Sequence, residues 1–459
     1  MTQPLVHTEN GDIRGFTHNG MLRFFRVPYC KAPVGERRFC RPEPLDRWEG
    51  VLDATRHGPM SPQGPSDLEL AMGPLHHPIG EDSLTLTITT PSTEGRHPVA
   101  VWFHGGANIS GAANIDWYDG ENLARHGNLV VVGVNFRLGA LGFLYHPSLN
   151  TDNLSILDQI EALRWIKKNI TAFGGDPDNV TVFGQSAGGN AIVHMMGLPE
   201  TEGLFHNAIL ESPSIGRGNH TKADAIRIAE CHFKHLGLDP KDPALREKIN
   251  AKSVDEILKA TDAVFAEMGK EFGGMLFKPV KDEWASPEAT AQAAARGAVK
   301  RQLHVIMGTT ADEMFAFVRP KNAEEEKAVR LCQYMRYDYP DNLFSLLIAA
   351  NGCPTWKYQF TWKAPQSEFK SCHTLELPFV FGTLPSWADA PMLAGASEED
   401  MTRLSQTMMG YWCKFFRNGT FDEKDWPCFE ARHCIHKVFD NQANPCQSLN
   451  NSPLREGFF

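Results

Sequence analysis

Short apolar runs recur along the chain and are separated by stretches with helical spacing. Residues 156–173 place apolar side chains at helical intervals and end at a Gly-Gly pair. Strands that alternate with helices predict a mostly parallel sheet that is buried on both faces. The apolar runs that predict strands cover residues 99–103, 129–134, 180–183, 208–210 and 304–307.

Two later regions have a different character. Residues 221–295 are rich in Ala, Glu, Lys and Asp, and their pattern predicts a helical insertion on the sheet without a clear strand. Residues 322–415 are also predicted to be mainly helical, and one late strand is expected at 435–439. We therefore interpret residues 1–459 as a single α/β domain, because a large α/β enzyme can arrange all its elements around one sheet.

Composition fits a soluble globular protein, with 42% hydrophobic and 22% charged residues. The net charge of −10 argues against a nucleic-acid partner. No apolar stretch is long enough to span a membrane, and the first 15 residues lack the pattern of a secretory signal. The ten cysteines include no C-x-x-C pair, so we expect free thiols and a cytoplasmic location. Oligomeric state cannot be read from the sequence.

Residues 184–188 match the pattern G-x-S-x-G. An apolar run precedes this motif and a helical pattern follows it, as a nucleophile elbow between a strand and a helix requires. Ser186 is therefore the predicted nucleophile. The alternative is a buried serine in a glycine-rich turn without a chemical role.

His104-Gly105-Gly106-Ala107 follows the apolar run at 99–103. Acyl transfer places negative charge on a carbonyl oxygen, which preorganised backbone N–H groups can stabilise. The natural donors are the N–H groups of Gly105, Gly106 and Ala187. The alternative is a flexible glycine-rich loop.

The sequence pattern identifies the general base and the acid less clearly than the nucleophile. In hydrolases with this elbow the order along the chain is Ser, then Asp or Glu, then His. Glu313 follows the apolar run at 304–307, where the carboxyl end of a late strand would place the acid, although a solvated loop Glu is an alternative. The pattern alone does not choose among the later histidines, which are His194, His206, His220, His232, His235, His304, His373, His433 and His436.

Several motifs together resemble the type-B carboxylesterase family, which includes the cholinesterases. The likeness covers nearly the whole chain and is closest in character to intracellular microbial carboxylesterases. The motifs are F-R-V-P-Y at 25–29, G-E-D-S-L at 80–84, N-F-R-L-G at 135–139, F-G-G-D-P at 173–177 and G-Q-S-A-G-G at 184–189.

The resemblance implies an α/β-hydrolase fold with no metal and no organic cofactor. The family's H-x-x-E-x-x-F-V-F-G segment falls on 373–382, which implies His373 as the base. The family's D-E pair falls on 312–313, which implies Glu313 as the acid. Two ion pairs are also implied: Arg38 with Glu81, and Arg137 with Asp176.

Some positions depart from the family pattern. Ser61 and Ser83 stand where the family has its N-terminal disulfide cysteines, which agrees with a reducing compartment. Near the expected site, Asn108 replaces a common aromatic residue and Met314 replaces a glycine. Another glycine position, before the helix at 156–173, is Ser155. Because Asn108 and Met314 lie near the expected site, they bear on substrate preference, while the chemistry is expected to be unchanged.

This sequence also lacks the residues that form the cation site of cholinesterases. The loop at 62–82 contains no Trp, Tyr or Phe to hold a quaternary ammonium group, and Gln185 stands where cholinesterases have a Glu. We therefore expect a serine carboxylesterase that hydrolyses neutral esters through an acyl-enzyme. Two alternatives stay open: a non-catalytic binding protein on the same scaffold, and an amidase or peptidase that uses the same three residues.

Overall fold

The structure is a computed structural model that describes residues 3–281, 290–430, 434–440 and 445–448. His433 and residues 282–289 of the expected helical insertion lie outside the described residues.

Most strands belong to one large sheet, with the order β14-β13-β12-β11-β10-β9-β7-β8-β6-β4-β3, while β1, β2 and β5 form a small separate sheet. The strands are β1 (Leu5–His7), β2 (Asp12–Arg14), β3 (Phe16–His18), β4 (Met21–Pro28), β5 (Val51–Asp53), β6 (Thr85–Thr90), β7 (His97–Phe103), β8 (Val130–Val134), β9 (Gly175–Gln185), β10 (Asn207–Glu211), β11 (His304–Thr310), β12 (Thr355–Phe360), β13 (Ile435–Phe439) and β14 (Cys446–Ser448).

The centre of the large sheet is parallel from β8 through β13, as the apolar runs predict. All five predicted runs correspond to strands, β7 to β11, with Leu129 just before the start of β8, and the late strand at 435–439 is β13. Alternate side chains of β7 enter two different core clusters: Val99, Val101 and Phe103 lie in one, and Ala100 and Trp102 lie in the other. Both faces are buried, which explains why the strands are continuously apolar.

Helices cover both faces of the sheet. The predicted helix at 156–173 is present as α4, and a 3₁₀ turn covers its last residues. The helices are α1 (Glu69–Met72), α2 (Glu121–Gly127), α3 (Gly139–Phe143), α4 (Leu154–Asn169), α5 (Ala187–Gly197), α6 (Lys222–Leu236), α7 (Leu245–Asn250), α8 (Val254–Met268), α9 (Thr290–Lys300), α10 (Ala323–Gln333), α11 (Tyr339–Ala350), α12 (Leu377–Phe381) and α13 (Glu398–Asn418).

The two predicted helical regions are helical where they are described. Helices α6 to α9 occupy the first region, and part of it packs with α3 in a separate core cluster that contains Phe233 and Val264. The second region also contains a strand that the sequence pattern did not predict, β12. Lys357 hides this strand in the sequence because a lysine in its middle argues against burial, yet its ammonium group is buried in an ion pair with Asp341. The single-domain organisation stays a prediction.

One of the two expected ion pairs is present. The Arg38 guanidinium donates from Nε to Glu81 Oε1 at 2.6 Å, which confirms that pair. The pairing of Arg137 with Asp176 is wrong. Arg137 binds Asp158 of α4 at 2.6 Å from Nη2 to Oδ1, and Asp176 instead binds the exposed Arg96 at 2.6 Å.

The geometry of the sheet explains why Arg137 does not pair with Asp176. Arg137 follows the carboxyl end of β8, whereas Asp176 lies at the amino end of β9. Both strands run parallel to β7, and the register aligns Val134 with Gly184 through Phe103. Asp176 precedes Gly184 by eight residues, which corresponds to roughly 25 Å along a strand. Asp158 reaches Arg137 because it lies near the amino end of α4, and α4 begins after the carboxyl end of β8.

In the described part of the chain, no helix is both long and apolar enough to cross a membrane.

Candidate active site

Ser186 lies at the sharp turn between β9 and α5. Its backbone has φ 56° and ψ −120°, a rarely populated conformation that costs a residue with a side chain about 1–3 kcal/mol in strain energy. The turn is held because the Ser186 N–H donates to the carbonyl oxygen of Glu211, at the end of neighbouring β10, at 2.8 Å. The strand-turn-helix geometry predicted around Ser186 is therefore present.

Glycines around Ser186 are required by the close approach of β7. A Cβ atom added to Gly188 would lie 2.0 Å from the carbonyl oxygen of Phe103, and one added to Gly184 would lie 2.8 Å from the same atom. Neither distance is compatible with a side chain, so the tight packing of α5 against the end of β7 explains both small residues of the motif.

The loop after β7 lies directly against this turn. A Cβ atom added to Gly105 would lie 3.1 Å from Ser186 Cβ. Gly106 has φ 108°, and a Cβ atom added to it would lie 2.1 Å from the Ser110 carbonyl oxygen. Among the described residues, the N–H groups of Gly105, Gly106 and Ala187 have no hydrogen-bond acceptor. Three unused N–H donors around the Ser186 side chain are able to bind an oxyanion.

Glu313 and His373 meet in the interior, and neither side chain is exposed. The Glu313 carboxylate contacts His373 Nδ1 through Oε2 and accepts the Thr310 N–H through Oε1 at 2.8 Å. Of the candidate histidines after Ser186 that the structure describes, His373 is the one that contacts Glu313. His304, by comparison, binds the carbonyl oxygen of Gly419 from the first residue of β11.

Asp312, the neighbour of Glu313, is directed elsewhere. Its carboxylate accepts the Ser371 N–H at 3.1 Å and pairs with Arg330 at 2.9 Å. The adjacent acidic residues therefore have separate roles: Glu313 contacts the imidazole, and Asp312 fixes the segment that carries it.

Gln185 provides a contact that the sequence did not predict. Its Nε2 lies 3.1 Å from His373 Nε2, and its side chain also faces Gly105. In the described residues the Ser186 hydroxyl forms no hydrogen bond with His373. An amide N–H that donates to Nε2 requires the tautomer in which Nδ1 carries the proton toward Glu313, and this is the tautomer a general base needs. A hydrogen bond between a serine hydroxyl and its general base often forms only when substrate binds.

Aromatic rings enclose His373. The Tyr337 ring centroid lies 5.2 Å from that of the imidazole, and the Phe317 centroid lies 5.5 Å away. Burial raises the pKa of Tyr337 to about 12, so its hydroxyl stays protonated near neutral pH. No sequence pattern pointed to these two residues, because the contacts form across separate elements.

Two further buried carboxyl groups lie near this cluster. Burial raises the pKa of Glu211 to about 8, and Glu211 Oε1 accepts a hydrogen bond from Trp412 Nε1 at 2.6 Å. Burial and the neighbouring Glu211 raise the pKa of Glu376 well above its usual range. In both groups burial favours the neutral acid over the charged carboxylate.

Two cavities adjoin the loop after β7. The smaller is lined by Gly105, Gly106 and Gln185, together with Trp117 and Tyr118. The larger has a volume of about 520 Å³ and is lined near the chemistry by residues such as Ala107, Met314 and Phe317. Its size lies within the range of small-molecule sites. A separate cavity of about 710 Å³ lies where α5 and α9 meet, away from these residues.

The departures from the family pattern also have structural consequences. The Ser61 and Ser83 hydroxyls lie 2.8 Å apart and form a buried hydrogen bond where the family has a disulfide. The Asn108 side chain donates to the carbonyl oxygen of Phe277 at 3.1 Å and so ties the loop after β7 to the segment after α8. Met314 is buried and lines the larger cavity.

One cluster in the described part of the chain has metal-ligating side chains within reach of one another: Cys231, His235 and Glu267. It lies on α6 and α8, and Glu267 already pairs with Lys234 at 2.9 Å. This arrangement is an ordinary surface ion-pair group rather than part of the cluster around Ser186.

Comparison with known proteins identifies the family. The model of the carboxylesterase family matches residues 2–330 and 319–455. The para-nitrobenzyl esterase of Bacillus subtilis is 35% identical over 99% of this chain and 98% of its own length. A solved thermophilic PNB esterase superposes with a TM-score of 0.89 at 31% identity, covering 99% of both chains. A solved carboxylesterase of Geobacillus stearothermophilus superposes with a TM-score of 0.83 at 30% identity, covering 98% of both. The chain therefore belongs to the carboxylesterase family of α/β-hydrolases and is a serine hydrolase of carboxylic esters.

Proposed function

We propose that Ser186 is the nucleophile, His373 the general base and Glu313 the acid of this carboxylesterase. The observation that carries the assignment is the buried contact between Glu313 and His373 beside the strained turn at Ser186. Strain of this kind persists where a fold over-determines it, and it is concentrated at functional sites.

In the proposed reaction His373 Nε2 accepts the proton of Ser186 as the hydroxyl oxygen attacks the ester carbonyl. Glu313 orients the imidazole and stabilises its cationic form without taking the proton. The N–H groups of Gly105, Gly106 and Ala187 bind the oxyanion. His373 then protonates the leaving alcohol, and later activates the water that releases the acid. The Gln185 amide must give up Nε2 when the substrate draws Ser186 toward the base.

We further propose that the substrates are esters without a cationic group, neutral esters included, rather than choline esters. The residue before Ser186 is the uncharged Gln185, and the larger cavity is lined mainly by apolar side chains. Trp117 and Tyr118 line the smaller cavity, but Trp117 is stacked on Trp387 with the centroids 4.8 Å apart. The stacking covers one face of the Trp117 ring and holds it in place, so a cation would have to bind the other face.

The assignment is tested with Ser186→Ala and p-nitrophenyl butyrate. We expect kcat to fall by about 10³-fold or more, because only the oxyanion donors and substrate binding remain. Ser405→Ala is a matched control: this buried hydroxyl donates to the Phe379 carbonyl oxygen at 3.0 Å, away from the reacting groups. A Ser186→Ala enzyme with wild-type turnover would exclude Ser186 as the nucleophile.

A cytoplasmic location is also proposed. No disulfide joins cysteines within the described residues, and the Ser61–Ser83 hydrogen bond replaces a bond that would need oxidising conditions. We propose in addition that the chain is one domain that binds small-molecule esters and no nucleic acid, which its net charge of −10 supports.

A further inference from the structure

The lining of the larger cavity includes residues that lie next to the proposed catalytic groups. Ala107 belongs to the loop that carries the oxyanion donors, Met314 follows Glu313, and Phe317 packs against the His373 ring. A substrate whose carbonyl group is bound at Ser186 can therefore extend one of its halves into this cavity.

Two arginines, Arg217 and Arg336, line the same cavity, and both are partly buried. Within the described residues, neither guanidinium forms an ion pair with a carboxylate, unlike the arginine of the Arg38–Glu81 pair. Asp67 and Asp262 also line the cavity, but both are exposed and lie beyond ion-pair distance from the two arginines.

A third positive charge lies close behind Arg217. Lys278 Nζ donates to the Arg217 carbonyl oxygen at 3.0 Å, and burial together with the charge of Arg217 lowers the pKa of Lys278. The Tyr337 ring lies 5.2 Å from that of His373, and the charges of Arg217 and Arg336 oppose the rise in the pKa of Tyr337 that burial causes. Because Arg217 and Arg336 form no ion pair with a carboxylate of the described residues, their charges create a local potential that attracts anions.

We propose that Arg217 and Arg336 bind a carboxylate carried by the ester substrate, in the half that occupies the larger cavity. Planar guanidinium groups bind carboxylates through paired, charge-assisted hydrogen bonds. Apolar lining such as Leu138 and Ile257 accommodates the hydrocarbon chain between the carboxylate and the ester group. The substrate class is thus an ester with a second, free acid group. This proposal rests on the proposed ester hydrolysis: only the acyl C–O bond is broken, water supplies the new oxygen, and the distant carboxylate takes no part in the reaction.

The test uses pairs of substrates that differ only in charge. For the acyl half, the mono-4-nitrophenyl ester of adipic acid is compared with 4-nitrophenyl adipamate, in which an amide replaces the free acid. For the alcohol half, 4-carboxyphenyl butyrate is compared with 4-carbamoylphenyl butyrate. We expect the acid to exceed its amide in kcat/KM by about tenfold or more in one pair, because a charge-assisted contact of about 1.4 kcal/mol gives this ratio.

Arg217→Gln and Arg336→Gln are each expected to reduce that preference by about tenfold and to change kcat/KM for the amide substrate by less than about threefold. Arg403→Gln is the matched control, because Arg403 is an exposed arginine of α13 and its loss changes net charge equally. An acid-to-amide ratio that stays near one in both pairs, or that falls equally in Arg403→Gln, would overturn the proposal. Continued hydrolysis of the neutral esters in those cases leaves the proposed function standing, whereas failure to hydrolyse any of the four esters would refute both.

Discussion

Glu313→Gln is the most informative single substitution, because the structure fixes what the new amide must do. Glu313 Oε1 accepts the Thr310 N–H at 2.8 Å, and Oε2 contacts His373 Nδ1. An amide nitrogen cannot face the Thr310 donor, so the amide oxygen stays there and the NH₂ group turns toward His373. Nδ1 must then act as an acceptor, and the imidazole proton moves to Nε2, the atom that should accept the proton of Ser186.

The cost follows from this tautomer change. A base that carries its proton on the wrong nitrogen and has lost the charge that stabilises its cation is nearly inactive. The corresponding Asp to Asn change in a serine protease lowers kcat by about 10⁴. We expect a loss of 10³–10⁴ here, which corresponds to about 4–5.5 kcal/mol in the activation free energy at about 1.36 kcal/mol per tenfold. KM should change little, because Glu313 does not line either cavity.

The assay is steady-state hydrolysis of p-nitrophenyl butyrate, with Asp312→Asn as the control of matched charge and volume. Asp312 keeps an acceptor for Ser371 in that variant and loses mainly the ion pair with the partly exposed Arg330, which is worth at most about 1 kcal/mol. We expect its kcat to stay within about tenfold of wild type. Equal losses in the two variants, or a larger loss for Asp312→Asn, would show that the carboxylate was chosen wrongly; melting temperatures verify that both variants are folded.

Two further predictions concern pH and substrate choice. The raised pKa of Glu211, about 8 in the folded protein, means that the folded state retains a proton which the unfolded chain releases above about pH 4.5. This contribution is fully present below that pH and is lost as pH rises through 8. Wild type should therefore lose on the order of 4 kcal/mol relative to Glu211→Gln between pH 5 and pH 9, as measured by denaturant unfolding; a difference independent of pH would contradict the burial argument. For substrate choice, ethyl thiobutyrate and butyrylthiocholine share the acyl group and leaving atom, and we expect similar kcat/KM values. A preference of about tenfold for the choline thioester would reveal a cation site.

The sequence alone determined the centre of the fold and most of the proposed site. The five apolar runs became β7 to β11 because parallel strands buried on both faces must be continuously apolar. The turn at Ser186 and the loop at Gly105 could also be predicted. Both need glycines, because only glycine allows such close approach of the backbone, and the sequence shows where the glycines are. The choice of His373 came from the family resemblance and not from the residue pattern, which left nine histidines open.

Tertiary structure decided the contacts between distant segments. Strand β12 escaped prediction because the burial of Lys357 depends on Asp341 of another element. The pairing of Arg137 with Asp158 depends on which end of the sheet each residue reaches, which strand direction sets and motif order does not. The contact of Gln185 with His373 could not be predicted either. The sequence motif identified Ser186, the next residue, but the partner of Gln185 is distant in the chain. Local spacing fixes periodicity and turns, whereas partners far apart in the chain are chosen only when the sheet and its helices bring their side chains together.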